Sequence, residues 1–185
     1  ILGRPRSALE YRIASCRNLH LSPHYSYPLD HHHHRRRRNL PAKPATSFSS
    51  GLVHDWMYLN LQLIQQTPGF SPPMAARALG YLGLTLYESV VPGMPGYQSL
   101  AGQLNELSSL PWAQPDEPLH WPTVANASLA TMTRMMFSNA TAENKGRIDQ
   151  LERSLPLKYG QDFDPNTYTP EITGAAAGAV AAVCK

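Results

Sequence analysis

Cysteine is scarce in this chain of 185 residues: Cys16 and Cys184 are its only two. Two thiols near opposite ends build neither a disulfide framework nor, by themselves, a four-ligand zinc site. Long apolar runs are missing as well. The nearest, residues 174–183, is rich in Ala and Gly and is about half the roughly 18–20 residues that a membrane-spanning helix requires. Residues 1–16 alternate Arg with apolar side chains and never build a secretory h-region. Alternating β-branched runs are absent, which argues against a sheet. Also missing are a GxGxxG fingerprint, a Walker-type lysine loop and a GxSxG elbow.

Charge is present but unevenly shared. The formal net charge of +3 joins two unlike parts. Residues 1–50 carry nine Lys or Arg against two acids, Glu10 and Asp30, for +7, whereas residues 51–185 carry seven against eleven, for −4. The basic balance therefore belongs to the first fifty residues, and the remainder gives no ground for specific nucleic-acid binding.

Those fifty residues hold five prolines and no sustained helical or strand period. Their centre is His31-His32-His33-His34 followed by Arg35-Arg36-Arg37-Arg38. Adjacent histidines can chelate a divalent metal, and adjacent arginines can neutralise phosphates. A homopolymeric run sets no defined ligand geometry, however, and neighbouring arginines repel. Residues 1–50 are read as a disordered basic leader, native or not, ahead of a polyanion-binding arm or a metal tract.

From Gly51 onward helical signals become regular. Val53, Trp56, Met57, Leu61 and Ile64 recur at spacings of three and four within residues 53–66, which predicts an amphipathic helix stopped by Pro68-Gly69. Ser71 is the expected N-cap of a second helix with Pro72 at its first position. Ala75, Leu79, Leu82 and Leu86 then form its apolar stripe. Gly80 and Gly83 within it suggest close approach of a neighbouring helix. Pro92-Gly93-Met94-Pro95-Gly96 ends the element.

A short helix is expected over residues 98–108, aligning Leu100, Leu104 and Leu107. Residues 111–122, with four prolines, predict an ordered loop that folds Trp112 and Trp121 onto the body. Pro122 opens a helix with the stripe Ala125, Leu129, Met132 and Met136. Thr141 caps another, with Glu143 in its first turn, Ile148, Leu151 and Leu155 as its buried stripe and Pro156 closing it. Residues 162–166 read as a polar turn, and Thr169-Pro170-Glu171 opens a last helix that runs to Lys185 without a stop signal. The fold class is all-α: a partial bundle of about five or six helices, truncated at its C-terminus.

Candidate chemistry is thin. Residues 51–185 contain two histidines, His54 and His120, each beside apolar residues, where packing or capping is the usual role. Asp116-Glu117 and the pair Asp162 and Asp164 are loop acids of the kind that form solvated turns. A calcium loop would need a closing Glu at a spacing that does not follow Asp162. Asn126-Ala-Ser and Asn139-Ala-Thr fit the glycosylation acceptor pattern. Met132, Met135 and Met136 with Phe137 are expected in the core. No catalytic, cofactor-binding or metal-ligating residue is assigned.

Residues 53–100 resemble the N-terminal region of bacterial vanadium-dependent haloperoxidase-like proteins, of the type 2 phosphatidic acid phosphatase superfamily. The likeness rests on Trp56, on Ser71-Pro72-Pro73 leading into Ala75-Ala76-Arg77-Ala78, on Leu86-Tyr87-Glu88-Ser89-Val90 and on the Pro-Gly turn before Tyr97. It extends through His120-Trp121-Pro122 with Asn126-Ala127 and through Ile148-Asp149-Gln150-Leu151-Glu152. The resemblance implies an oxidoreductase that uses vanadate and hydrogen peroxide to oxidise halide, or a phosphatase that uses the same anion pocket. That pocket takes a Lys with a following Arg-Pro, a Ser-Gly-His and an Arg ahead of Gly-x-His, and none of the three occurs here.

The expectation is thus the scaffold half of such an enzyme, inactive alone, with the catalytic half as its missing partner. Export from the cytoplasm is implied by the family. Arg77 is read as a structural ion-pair partner, and exposed apolar helix faces are expected to favour self-association. The competing expectation is a stand-alone helical binding or interaction module.

Overall fold

The computed structural model describes residues 43–105, 107 and 119–158. These form four α-helices and no strand: α1 (Gly51–Gln66), α2 (Pro72–Val90), α3 (Trp121–Met136) and α4 (Ala142–Lys158). The all-α expectation holds for the described residues. The expected elements over 162–166 and from Thr169 onward lie outside them, as do residues 1–42, Cys16, Cys184, Trp112, Asp116 and Glu117.

The inner element is α3. Arg134 alone of its residues is exposed, and its buried set includes Thr123, Asn126, Ser128 and Thr133 beside Val124, Leu129 and Met132. A helix with apolar or small uncharged residues on every face is one that others surround, and α3 packs against α1, α2 and α4. The expected stripe Ala125, Leu129, Met132 and Met136 is buried throughout. Phe137 follows it into the core and stacks on Phe70 with ring centroids 4.7 Å apart.

On α1 and α2 the buried ridge is rotated from the one the apolar spacing suggests. Leu52, Trp56, Leu59, Asn60 and Leu63 are buried on α1, while Leu61 stands 48% exposed. On α2 the ridge is Ala78, Leu82, Thr85 and Ser89 with Glu88, and Leu79 and Leu86 are only half-buried. Polar residues share the innermost positions of both helices with Trp56, Leu63, Ala78 and Leu82, so some of the apolar residues picked out by spacing mark the flank of the buried face.

The helix ends follow their local chemistry. Ser71 precedes α2 in extended conformation but makes no side-chain cap bond; Pro72 and Pro73 have no N–H to offer it, and their fixed φ starts the helix. Thr141 does cap α4, its Oγ1 accepting from the Asn144 N–H at 3.2 Å. Pro156 does not close α4, which continues to Lys158. Proline lacks the N–H that would bond the carbonyl four residues earlier. That carbonyl is Glu152 O, and the Asn126 side-chain amide donates to it at 3.0 Å.

Where the short helix is expected over 98–108, the described residues 98–105 and 107 form a turn instead. After Leu104 N–H bonds Leu100 O, the Gly102 N–H bonds forward to Leu107 O at 3.1 Å, with Gly102 at φ 77°. Leu107 is buried and Leu104 is 44% exposed.

Gly80 and Gly83 do not serve close approach. Both are exposed, and a Cβ at either would meet nothing within 4 Å. The glycine that does is Gly93, where a Cβ would lie 2.0 Å from the Trp121 indole. We expect Gly93→Ala to destabilise the fold by about 1–3 kcal/mol through overpacking. Gly80→Ala or Gly83→Ala should instead stabilise by up to about 1 kcal/mol. Urea denaturation of the three variants checks both signs.

Residues 43–50, placed with the leader by composition, include a one-turn helix at Ala45–Ser47 packed beside the Val91–Gly93 turn. The Phe48 ring meets the His120 ring edge-on at 5.4 Å.

Candidate functional site

The groove between α1 and α4 gathers the most varied chemistry among the described residues. The two helices run antiparallel: Lys158 Nζ donates to Asp55 Oδ2 at 2.7 Å at one end, and Arg147 reaches Gln66 Oε1 at 3.2 Å at the other. Between these ends lies an open cavity of about 310 Å3 lined by Asp55, Tyr58, Leu59, Gln62, Arg147, Gln150, Leu151 and Ser154. Leu59 is buried and Leu151 half-buried, forming an apolar base, while Tyr58 is 66% exposed.

Arg147 is held by neutral acceptors. Its Nη1 donates to Gln66 Oε1 and to Asn144 Oδ1 at 3.1 Å, and its Nη2 donates to Gln62 Oε1. Among the described residues no carboxylate lies within ion-pair distance of it. Arg134 is the opposite case: it bonds Asp149 Oδ1 at 2.8 Å and also Glu152. Partial burial disfavours its charge, but hydrogen bonds and attraction from Glu152 and Asp149 outweigh this and hold its pKa above the usual arginine value. Such exposed pairs fasten α3 to α4 by about 0–1 kcal/mol each.

Beneath the groove lies a polar seam. The Trp56 indole N–H donates to Asn126 Oδ1 at 2.9 Å, and Asn126 Nδ2 donates onward to Glu152 O. Asn60 Nδ2 donates to Trp56 O at 2.9 Å and to Thr133 Oγ1 at 3.1 Å. One row of side chains thus ties α1 to α3 and α3 to α4. At the far end of α2, the fully buried Glu88 accepts from Ser99 Oγ at 2.7 Å and from the Leu100 N–H at 2.8 Å.

The residues singled out by sequence do not converge. His54 is exposed on α1. His120 precedes α3, its Nδ1 2.6 Å from Thr123 Oγ1 and its ring against Phe48, in keeping with a packing role, but its side chain makes no cap bond to the helix backbone. Asn126 is fully buried and bonded on both sides, so it is no glycosylation acceptor in the fold; Asn139 lies exposed in the turn between α3 and α4. Arg77 is exposed and has no ion-pair partner among the described residues, which overturns its structural assignment. Met132, Met136 and Phe137 fill the core.

The described donors do not fit a vanadate or phosphate pocket. A multiply charged oxyanion needs several converging cations. Here Arg134 is committed to two carboxylates and Lys158 to Asp55, Arg147 stands apart from both histidines in the groove lining, and Lys43, Arg77, Lys145 and Arg153 are exposed at the surface. Asn60, Gln62 and Arg147 were not signalled by motif or spacing, and Glu88 entered only as part of the Leu86–Val90 resemblance, with no role of its own. Glu88 alone offered a hint, as the one acid in the Pro72–Val90 helix.

Among the described residues no group of three His, Cys, Asp or Glu side chains converges as a metal site, and no helix is long and apolar enough to cross a membrane. Comparison of the chain with family models, curated proteins and solved structures gives no match.

Proposed function

We propose that this chain is the scaffold half of a haloperoxidase-like or acid-phosphatase-like enzyme. In the intact protein the reaction would be halide oxidation with hydrogen peroxide and vanadate, or phosphomonoester hydrolysis. One observation supports the reading: several of the residues that carry the sequence resemblance, though not Arg77 or Tyr97, fasten the helices. Trp56 and Asn126 form the central seam, Glu88 clasps the turn after α2, and Trp121-Pro122 opens the inner helix. In this reading the anion pocket lies on a catalytic half elsewhere in the protein. Tyr58, Leu61, Tyr97 and Leu104, the large exposed apolar side chains among the described residues, would be the points of docking or self-association. Export by family habit belongs to the same proposal.

Sequencing the coding region downstream of Lys185 tests it. The expected result is an open frame encoding the Lys/Arg-Pro, Ser-Gly-His and Arg/Gly-x-His motifs, whose full product binds vanadate or cleaves a phosphomonoester. A stop codon directly after Lys185 would overturn it. A second reading, a stand-alone helical binding module, is favoured by the groove between α1 and α4, whose guanidinium has no carboxylate partner.

A further inference from the structure

We infer that the groove between α1 and α4 binds a monoanionic carboxylate carried on an apolar body, with Arg147 as the anion anchor. A guanidinium has five N–H donors. The bonds to Gln66, Asn144 and Gln62 use three of those on Arg147, leaving the Nε–H and one Nη2 hydrogen. A carboxylate can take both as paired, charge-assisted bonds.

Three neutral amide oxygens fix the guanidinium in place without cancelling its charge. Most of the ordering cost of a long side chain is therefore met before a ligand arrives. The rest of the lining suits the uncharged part of such a ligand. Leu59 and Leu151 form the base, Tyr58 offers a ring face, and Gln62, Gln150 and Ser154 supply neutral polar groups.

Charge selects a monoanion over a phosphate. Arg147 is the one cation lining the cavity, and Asp55 lines it too. Asp55 is paired with Lys158 at the opposite end, about three helical turns along α4 from Arg147. A dianion would meet one compensating charge only. The inference is independent of the enzyme reading: downstream sequence decides that one, and ligand titration decides this one.

The test is a titration of the full chain, isotopically labelled for NMR, with N-acetylphenylalanine and separately with its neutral amide. The acid should shift the Gln62 and Gln150 side-chain amides and the Arg147 Nε–H in a saturable way. The amide should bind at least about tenfold more weakly, because it lacks the charge. Arg147→Gln should abolish the acid's advantage, and Tyr58→Ala should weaken both ligands. Equal binding of acid and amide by the unaltered chain would overturn the inference, whatever the variants do. So would no saturation by about 10 mM acid, or inorganic phosphate competing more strongly than the acid.

Discussion

Asn126→Ala is expected to cost about 3 kcal/mol or more. The change opens a small cavity and strips partners from two groups at once, the buried Trp56 indole N–H and the partly buried Glu152 carbonyl. Each orphaned group contributes roughly 1–3 kcal/mol. The two ends of the amide are separable. Trp56→Phe removes the donor to Asn126 Oδ1 and should cost about 1–3 kcal/mol by itself.

Pro156→Ala restores a backbone N–H able to bond Glu152 O, so it should help more when Asn126 is absent than when it is present. A double-mutant cycle by urea denaturation should show coupling of about 1 kcal/mol between Asn126→Ala and Pro156→Ala. Strict additivity of that pair would mean that the side-chain amide does not stand in for the N–H that proline lacks.

Glu88→Ala should be nearly as damaging. It leaves the partly buried Ser99 hydroxyl and Leu100 N–H without their acceptor. Glu88→Gln is the sharper probe. Ser99 Oγ already accepts from the Ala101 N–H at 2.9 Å while donating to Glu88. A glutamine has one oxygen for these two donors: with Oε1 kept on the Leu100 N–H, its amide offers the Ser99 hydroxyl a second donor and no acceptor, at a cost of about 1–3 kcal/mol. Hydrogen exchange gives the local readout: the Leu100 and Ala101 amides should lose more protection than those of α4. Uniform loss across all four helices would show that Glu88 acts on global stability and does not clasp the turn in particular.

These two sites explain why the sequence was only partly legible. The helix class, the proline openings of α2 and α3, the Thr141 cap and the α3 stripe follow from local rules. Turn chemistry and 3.6-residue periodicity report backbone preference and gross burial, and those were enough. The exact faces of α1 and α2 were not, because Asn60, Thr85, Glu88 and Ser89 share the centre with Trp56, Leu63, Ala78 and Leu82. A pattern that counts apolar side chains passes over buried polar ones. It therefore selected Leu61 and Leu79 on the flank.

Pro156 misled for a related reason. Its local meaning is a helix stop, and the amide that lets the helix continue belongs to a residue 30 positions earlier in the sequence. The groove was illegible altogether. Arg147, Gln62 and Tyr58 are ordinary surface residues until two distant helices are set side by side.

The spacing of the seam also bears on how the chain is made. Trp56 and Asn60 find their side-chain partners on α3 at separations of 70 and 73 residues, and Asp55 meets Lys158 at 103. On a ribosome adding roughly 5–20 residues per second, α1 would wait about 4–14 s for Asn126 to be synthesised. During that interval Trp56 and Leu63 have no α3 to pack against. A nascent chain halted before α3 is therefore the form most exposed to holdase chaperones and to aggregation.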